Sequence, residues 1–515
     1  MARVASVLLK CISICVLSSF AGCVWISHRL EVQKVDPHNA VTIATPVKAH
    51  LKDGSTVVYR TGVTVLATSL SGPGDRYDVT LAQSKVDSVP FDDVVGMESF
   101  ETKVNTTQSI VVSSLVTVGT VAGTVALFKA IFGSCPTVYS NEGNVEEAEL
   151  FSSSIAPLFE ARDLDRLQAQ PDPNGILRLE LRNEAMETHY INHLQLLEVQ
   201  HASNEFVLPD EQGHPLVASD IHPPALAVNR AGHDVRASVL DADEQSYITD
   251  RPTIDSVQAA SMDDWLDITA PVPEGSRTVA LVVRARNSLL NTVLLYDVML
   301  QRSGARAIDW LGKDLSHIST AVQLGRWYQQ RAGLHISVWR EGHYEEVARI
   351  GDSGPIFWHD AAAVVPVRRG ETSLRLRLSF VADQWRIDRV SVARAREAEP
   401  RVIDAFEVTG ARGRVETAAH ERIRASDDQY LQTTPGQRFF VHFNAGNALA
   451  RGLRTFLLSS QGYYIEWIRG SWIRNASTAR PFVPDDDALL AALRKWGSIR
   501  ESFEREFMSA RVPVN

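Results

Sequence analysis

The chain has 515 residues, of which 44% are hydrophobic and 22% are charged, values typical of a folded protein with several domains rather than a disordered one. Its formal net charge of -10 lacks the excess of positive charge that nucleic-acid binding requires, so we predict no nucleic-acid partner. Of its four cysteines only Cys135 lies beyond residue 23, which excludes from the body both an intrachain disulfide and a zinc site built from several thiolates.

The first 22 residues predict a secretory signal, with a positively charged start and an apolar stretch at 11–20 that is too short to span a bilayer. "FAGC" then resembles the lipobox of bacterial lipoproteins, with Phe20 where leucine is usual. The resemblance implies that Cys23 is diacylated and becomes the first residue of the mature protein. Each buried methylene contributes about 0.8 kcal/mol, so several acyl chains anchor it stably in membrane lipid. The alternatives are an ordinary secretory signal and an N-terminal membrane helix.

The residue after Cys23 is Val24, whereas an aspartate at that place resembles the inner-membrane retention signal of such lipoproteins. The resemblance therefore implies a location in the bacterial envelope, at the outer membrane, facing the periplasm or the cell surface. Nucleotide cofactors are cytoplasmic, and neither a Walker A pattern nor G-x-G-x-x-G after a strand occurs in the chain. We predict no cofactor, and a linker over 23–40.

Residues 41–104 predict a small β module of five short strands. "KDGS" at 52–55 is typical of a hairpin turn, because Asp-Gly tolerates the positive φ that tight hairpins need. "SGPGD" at 71–75 predicts a second turn between two β-rich runs.

Residues 105–134 predict a hydrophobic, Gly-rich helix. Nineteen residues from 110 to 128 carry no charge, which nearly suffices to cross a bilayer. Gly119 and Gly123 have the G-x-x-x-G spacing that lets helix backbones approach closely, so they are candidate helix-packing residues. Three interpretations stay open: a transmembrane helix, a helix that contacts lipid or copies of itself through 109–133, and a buried part of the fold. The acidic flank beyond residue 141 disfavours a cytoplasmic body, so we favour the second.

Residues 135–400 predict a β-sandwich region. In "SLRLRLSF" (373–380) alternate apolar residues share one face, and "RTVALVVRAR" (277–286), "NTVLLYDVML" (291–300) and "LHISVWR" (334–340) are also predicted strands. A helix is predicted over 308–332. "SLRLRLSF" followed by "QWRIDRVSVA" resembles the last hairpin of galactose-binding-like jelly rolls, which implies a jelly-roll-like sandwich.

Residues 401–515 predict further strands followed by an amphipathic helix. Leu489, Leu493, Trp496, Phe503 and Phe507 form one apolar stripe, and the aspartates before it suit the positive end of a helix. The fold class is therefore mainly β, with a small N-terminal module, a hydrophobic helix, a sandwich body and a C-terminal helix. "GSCPTVYSNEG" and "GYYIEW" resemble segments of uncharacterised bacterial lipoproteins, which imply no function.

The motif "GDSGP" (351–355), together with "TAAHE" around His420, is similar to the serine and histidine motifs of trypsin-like proteases. Pro355 replaces the second glycine of that family, and the histidine follows the serine instead of preceding it. Each residue of "GDSGP" favours turns, so we interpret Ser353 as a loop residue. We predict no catalytic residue.

The histidines of "HYINH", His189 and His193, have the i, i+4 spacing of zinc proteases but lack the glutamate between them and lie in a strand-like pattern. "DADEQS" at 241–246 lacks the turn glycine and the bidentate glutamate of a calcium loop. We predict no metal, interpret His201 as structural like the other two histidines, and interpret Cys135 as a structural thiol.

Tyr463, Tyr464, Trp467 and Trp472 are candidates for stacking on a ligand, although aromatic residues in alternating strands are more often part of the core. The sequence therefore favours a membrane-anchored envelope lipoprotein with a non-catalytic binding or assembly role, whose ligand is another envelope protein or a glycan. Two alternatives stay open: an envelope hydrolase acting on glycan or peptide, and a bitopic subunit of an envelope complex. A cavity lined by two close carboxylates would favour the hydrolase, and a flat aromatic patch would favour binding.

Overall fold

A computed structural model describes residues 40–80, 82–100, 135–258, 261–447, 452–474, 485–509 and 511–514, all within one compact unit, Val35–Asn515. Strands hold 47% of the residues and helices 21%, which confirms the mainly β prediction. The predicted signal sequence, Cys23, the hydrophobic segment 105–134 and its glycines Gly119 and Gly123 lie outside the described residues.

The first sheet has eight strands and is formed mainly by the predicted N-terminal module. The "KDGS" turn is present, with Gly54 at a φ of +82°. The second predicted turn is wrong, because 71–75 continue a strand whose irregularity is absorbed by a bulge between Ser71 and Gly74. The strands are β1 (Val41–Ile43), β2 (Val47–Leu51), β3 (Thr56–Tyr59), β4 (Val63–Val65), β5 (Ser69–Tyr77), β6 (Gln83–Pro90), β7 (Val94–Ser99) and, from the C-terminal region, β27 (Ile468–Arg469).

The second sheet has nine strands and joins segments from both sides of residue 400, so strand pairing is continuous across that predicted boundary. Its longest pair joins the strand Glu187–His201, which contains "HYINH", to the strand Leu453–Glu466. The strands are β8 (Thr137–Ser140), β9 (Val145–Glu149), β10 (Ala161–Arg166), β11 (Ile176–Arg182), β12 (Glu187–His201), β23 (Arg401–Gly410), β24 (Leu431–Thr433), β25 (Arg438–Asn444) and β26 (Leu453–Glu466).

Two five-stranded sheets share one hydrophobic core between residues 206 and 397. Leu374, Leu376 and Leu378 are fully buried in it, as the alternation in "SLRLRLSF" predicts, and each contributes about 2 kcal/mol through burial. One sheet contains β13 (Phe206–Pro209), β14 (Pro215–His222), β17 (Thr278–Asn287), β20 (His359–Pro366) and β22 (Trp385–Glu397). The other contains β15 (Leu226–Asn229), β16 (Asp263–Pro271), β18 (Leu334–Arg340), β19 (His343–Ile350) and β21 (Ser373–Val381).

The consecutive strands β21 and β22 belong to different sheets of this pair, so the expected hairpin between them is wrong. The turn at 382–384, with Asp383 at a φ of +61°, carries the chain from one sheet to the other. Alternation of apolar residues does not distinguish a hairpin within one sheet from a connection between two sheets. In both arrangements each strand buries one face in the same core.

The helices cluster between β17 and β18 and at the C-terminus. The α-helical segments are Arg251–Asp255, Leu290–Thr292, Gln301–Ser303, Arg306–Asp309, Ile318–Ala332, Thr417–Arg422, Gly470–Arg474 and Asp486–Ser509. Val293–Leu300 and Trp310–Asp314 are π-helical, and short 3-10 turns occur at Phe91–Asp93, Asn141–Gly143, Pro157–Phe159 and Arg236–Val239. Within these described ranges, no helix is long and apolar enough to cross a membrane.

The prediction of a strand over 291–300 is wrong, because this stretch is helical. Its apolar residues, among them Val293, Leu294 and Leu300, are buried nearly all around, and such a run shows neither a period of two nor one of 3.6. The helix predicted over 308–332 is present, with a break between Asp314 and Ile318.

The predicted C-terminal helix is present as Asp486–Ser509. All five residues of its apolar stripe are buried, and all five belong to the core that the N-terminal sheet and the 290–315 helices share. The side chain of Asp485 accepts a hydrogen bond from the backbone N–H of Ala488 at 2.9 Å, which caps the start of the helix.

Candidate functional site

The loop that carries "GDSGP" joins β19 to β20 and is held against the end of β17. The backbone N–H of Ser353 donates to Oδ1 of Asn287 at 2.8 Å, and the backbone N–H of Asn287 donates to the carbonyl of Gly354 at 2.9 Å. Gly354 has a φ of +77°, and a Cβ there would lie 2.6 Å from Oε2 of Glu149. The motif therefore serves the close packing of this loop on β9, and Ser353 takes part through its backbone.

Two acidic residues, Glu149 on β9 and Asp352 in the loop itself, lie close to this contact and line the same cavity. Glu149 accepts a hydrogen bond from the backbone N–H of Ile356 at 2.9 Å, and Asp352 accepts one from Nδ2 of Asn291 at 3.0 Å. Burial, which outweighs these hydrogen bonds, raises the pKa of Glu149 to about 7 and that of Asp352 to about 6. Glu149 is 2% exposed, whereas Asp352 is partly exposed, so solvent stabilises the charged form of Asp352 more. Burial thus shifts the titration of both carboxyl groups towards neutral pH, and that of Glu149 further than that of Asp352.

Asp165 on β10 and His359 at the start of β20 form a second pair. Nδ1 of His359 lies 3.1 Å from Oδ1 of Asp165, and its Nε2, which is shielded from solvent, has no hydrogen-bond partner in the part of the chain that the structure describes. Burial raises the pKa of Asp165 to about 7. Burial by itself lowers the pKa of His359, but the adjacent Asp165 carboxylate outweighs it and raises that pKa.

An open cleft of about 740 Å³ lies on one side of the loop. Four arginines and six acidic residues line it: Arg162, Arg166, Arg284, Arg389, Asp163, Asp165, Asp210, Glu211, Asp352 and Asp360. Asp360 contacts Arg284 at 3.2 Å and Arg389 at 3.1 Å. The rings of Phe206, Phe357 and Trp358 complete the wall. The cleft therefore offers many hydrogen-bonding groups of both signs rather than a field of one sign.

A more enclosed cavity of about 230 Å³ lies on the other side of the loop. Helical residues between 291 and 329 form much of its wall, including the rings of Trp310, Trp327 and Tyr328, and Glu149 and Asp352 line it as well. Cys135 also lines this cavity, and burial raises the pKa of its thiol well above the usual value, which favours the unreactive protonated form.

The candidate aromatic residues near the C-terminus are all buried. Tyr463 stacks on Tyr190 with ring centroids 4.6 Å apart, and Trp467 stacks on His50 at 3.8 Å. Trp472 packs beside a tyrosine in the core at 5.9 Å. Tyr464 lines the cavity and donates its hydroxyl to the carbonyl of residue 152 at 3.1 Å. Tyr464 is thus placed to contact a ligand in the cavity.

The histidines singled out in the sequence do not lie together in one site. His189 is buried beside Glu187 at 2.7 Å, and His201 contacts the hydroxyl of Thr455 at 2.9 Å. His420 contacts the carbonyl of Ala405 at 2.9 Å and does not line the cleft that Ser353 lines. No group of three or more His, Cys, Asp or Glu side chains able to hold a metal ion occurs in the described ranges.

Sequence reasoning missed Glu149, Asp165, Asp352 and His359. Two of them, Asp352 and His359, lie within the loop segment "GDSGPIFWHD", where three ionisable residues among turn-forming and aromatic ones were a signal that could have been read. The other two occur in "VEEAEL" and "ARDLDR", where Glu147 and Glu149, and likewise Asp163 and Asp165, have the spacing of a solvated strand face. Only pairing between strands distant in sequence shows which of these carboxyl groups turns inward.

No protein-family model matches the chain, and no curated protein matches it. Among solved structures, it is similar to a cycloalternan-forming enzyme from Listeria monocytogenes, with 9% identity over 70% of this chain and 29% of that chain and a TM-score of 0.15. It is also similar to an allantoicase, with 10% identity over 52% of this chain and 92% of that chain and a TM-score of 0.15. The chain spans less than a third of the length of the first of these proteins. Similarity at this level carries no inference about function.

Proposed function

We propose that the protein is a membrane-anchored envelope lipoprotein whose β-sandwich body binds a hydroxyl-rich ligand, a glycan, in the cleft beside the "GDSGP" loop. The observation that carries this proposal is the lining of the cleft, in which four guanidinium groups and six carboxyl groups lie together with aromatic rings. Hydroxyl groups both donate and accept hydrogen bonds, so a glycan can use donors and acceptors at once, whereas a strongly charged ligand would meet groups of its own sign.

Trp358 is the aromatic residue best placed for contact with such a ligand. It is half-buried, with the guanidinium of Arg286 lying 5.0 Å from its ring, whereas Phe206 is covered by the guanidinium of Arg166 at 4.3 Å. A sugar ring that stacks on Trp358 would place its hydroxyl groups among the charged residues of the cleft.

The full-length protein in detergent tests this proposal by calorimetric titration with chitotetraose and with soluble peptidoglycan strands. We expect Trp358→Ala to weaken binding up to about tenfold, because an aromatic contact is worth about 1 kcal/mol beyond burial. Trp339→Ala is the matched control, since Trp339 lies on β18 and does not line the cleft. Absence of binding to either glycan would overturn the proposal.

A second candidate, hydrolysis of a glycan or peptide, is favoured by Asp165 and Asp352, which both line the cleft and whose pKa values burial raises to about 7 and about 6. A protonated carboxyl with a pKa near the working pH is suited to act as a general acid. Release of new reducing ends or amino groups by the wild type, and its loss in Asp165→Asn, would support hydrolysis. Binding without product release would support the non-catalytic role.

Anchoring through Cys23 is tested separately. Cys23→Ser is expected to abolish labelling by a palmitate analogue and to release the protein from membranes, because the thioether acceptor is lost. Unchanged labelling would contradict the lipoprotein proposal.

Self-association through 109–133, or a role as a bitopic subunit, is tested by Gly119→Leu and Gly123→Leu, which would hold packed helices apart without lowering hydrophobicity. Loss of crosslinked oligomers in detergent would support helix packing, and a monomeric wild type would contradict it.

A further inference from the structure

The helix Ile318–Ala332 presents apolar side chains to solvent. Ile318 is 73% exposed, the highest value among the large apolar residues that the structure describes, and Val322 is 45% exposed. These two residues and the exposed Arg326 follow one another at intervals of four, so they share one face of the helix, opposite the buried Leu324. Large apolar side chains grouped on an exposed face are typical of a surface that contacts a partner.

A third exposed apolar residue adjoins this face. The turn Pro157–Phe159 packs against the helix, since a Cβ added at Gly325 would lie 3.8 Å from Cε1 of Phe159. Leu158, in the same turn, is 51% exposed. We call Leu158, Ile318 and Val322 the apolar face.

The chain leaves the described structure after Phe100 and returns to it at Cys135, and both points lie beside this helical region. Ser99 contacts the π-helical segment that precedes the helix, because a Cβ added at Gly312 would lie 2.5 Å from Cβ of Ser99. Cys135 lines the enclosed cavity together with Leu324 of the helix itself. The two ends of the intervening stretch are therefore both close to the apolar face.

The uncharged run 110–128 is thereby tethered near the apolar face. An extended chain spans at most about 3.5 Å per residue, so residue 110 lies within about 35 Å of Phe100 and residue 128 within about 25 Å of Cys135. Nineteen residues without a charge nearly suffice to cross a bilayer, so lipid is the surroundings that such a run favours. A membrane that holds this run is within reach of the apolar face.

The charges near the apolar face suit an anionic surface. Lys313 precedes the helix by five residues, Arg326 lies on its exposed face, and neither side chain has an ion-pair partner among residues of the described ranges. Arg331 of the same helix, by contrast, pairs with Asp486 at 3.0 Å. Each cation held near an anionic membrane strengthens attachment to it, so these two favour anionic lipid even though the whole chain carries a net charge of -10.

We propose that the apolar face docks on the surface of an anionic lipid membrane, with Leu158, Ile318 and Val322 among the acyl chains and with Lys313 and Arg326 at the headgroups. An apolar face flanked by cations is the usual composition of a helix that lies in a membrane interface. This proposal rests on the membrane location proposed above and is independent of the glycan cleft.

Fluorescence of the full-length protein in vesicles of phosphatidylcholine and phosphatidylglycerol tests this docking. An environment-sensitive fluorescent amino acid, introduced by amber suppression, replaces Ile318 in one sample and Leu453 in the control. We expect the emission from position 318, and not that from position 453, to shift to shorter wavelength. We expect lipids with a spin label on their acyl chains to quench the emission at 318 only. Flotation of the vesicles measures attachment of the protein in both samples.

Leu453 is a matched control because it is also a large apolar residue, 49% exposed, at a distant position. It begins β26, and Tyr464, near the other end of that strand, donates its backbone N–H to the carbonyl of Ser154, close to the turn that carries Leu158. Eleven residues of strand separate Leu453 from Tyr464, which corresponds to about 35 Å.

Lys313→Gln and Arg326→Gln are each expected to lower the ratio of docked to undocked protein about fivefold, which is the contribution of one cation near an anionic membrane. Both residues are exposed, so the variants keep the fold. Quenching at position 318 is measured at the phosphatidylglycerol content that gives half of its maximum without these substitutions. Arg412→Gln is the control, since Arg412 is exposed in the loop after β23, and it should leave the quenching unchanged.

Three results would overturn the proposal. The first is equal quenching at positions 318 and 453 in protein that floats with the vesicles, which would leave the anchoring proposal intact. The second is a shift at position 318 without quenching by the lipids, which would mean that residues 105–134 or a second copy of the chain cover the face. The third is unchanged quenching in both charge variants. Protein that fails to float with the vesicles would contradict anchoring as well as docking.

Discussion

The two sides of the "GDSGP" loop differ in how their polar groups are satisfied. On the cleft side Asp360 is surrounded by guanidinium groups that are 21–27% exposed, so charge is balanced by charge with solvent close by. On the cavity side Trp310 and Asn287 are 1% exposed, and burial raises the pKa of Glu149 to about 7. One short loop therefore separates a cleft lined by many charged groups from a cavity with a more apolar lining.

The comparison shows that burial, more than residue type, decides what a polar side chain can do here. Asp352 lines both spaces, and its pKa of about 6 is below the pKa of about 7 of Glu149, which is enclosed on the cavity side. The pKa of a carboxyl group beside this loop therefore rises with the degree to which the fold encloses it.

The largest expected effect concerns the packing of the loop that separates the cleft from the cavity. Gly354→Ala should lower the free energy of unfolding by about 3 kcal/mol, because its Cβ would lie 2.6 Å from Glu149 and its φ of +77° is unfavourable for alanine. Urea unfolding measures the change. Gly213→Ala is the control, with a φ of +78° and nothing within 4 Å of its Cβ, and should cost about 1 kcal/mol. Equal costs would show that the loop is not closely packed on Glu149.

The next largest effect concerns the ion pairs of Asp360 on the cleft side. Asp360→Asn should lower the free energy of unfolding by about 2 kcal/mol, since it leaves Arg284 and Arg389 without their shared carboxylate, and partial exposure of both arginines moderates the loss. Asp255→Asn removes an exposed partner of Arg251 and should cost under about 0.5 kcal/mol. A cost as small for Asp360→Asn as for the control would contradict the charge network.

On the cavity side, the titration of Glu149 should make the free energy of unfolding depend on pH. The pKa of Glu149 is raised in the folded state to about 7, so its contribution to stability is complete below about 4.5 and is lost as the pH rises through 7. Over that window the free energy of unfolding should fall less steeply in Glu149→Gln, by up to about 1.4 kcal/mol per pH unit. Thermal unfolding at several pH values measures this. Glu341→Gln, at an exposed position, should keep the wild-type slope, and an unchanged slope in Glu149→Gln would refute the assignment.

The smallest expected effect concerns Ser353. Its Oγ lies 3.4 Å from Oδ1 of Asn287, whereas its backbone N–H makes the shorter contact of 2.8 Å. Ser353→Ala should therefore change the free energy of unfolding by less than about 0.5 kcal/mol and leave any hydrolytic activity unchanged. Loss of activity in the folded variant would show that the resemblance of "GDSGP" to a nucleophile motif has a catalytic basis.

Local pattern by itself determined several of the strands and the amphipathic helix. The alternation in "SLRLRLSF" predicted the burial of Leu374 and its neighbours, and the stripe through Trp496 predicted the buried face of the C-terminal helix. In both cases apolar residues recur at the period of a single strand or helix. An element that buries one face needs this recurrence in any fold, so the pattern can be read without knowledge of the tertiary structure. The loop character of "GDSGP" followed from the same kind of local chemistry.

Tertiary structure alone decided which strands pair, that 291–300 is helical, and where the candidate sites lie. Glu149, Asp165 and His359 come from strands far apart in the sequence, and their altered pKa values exist only because those strands exclude water around them. Desolvation and enclosure depend on neighbours contributed by the whole chain, and no local pattern carries that information.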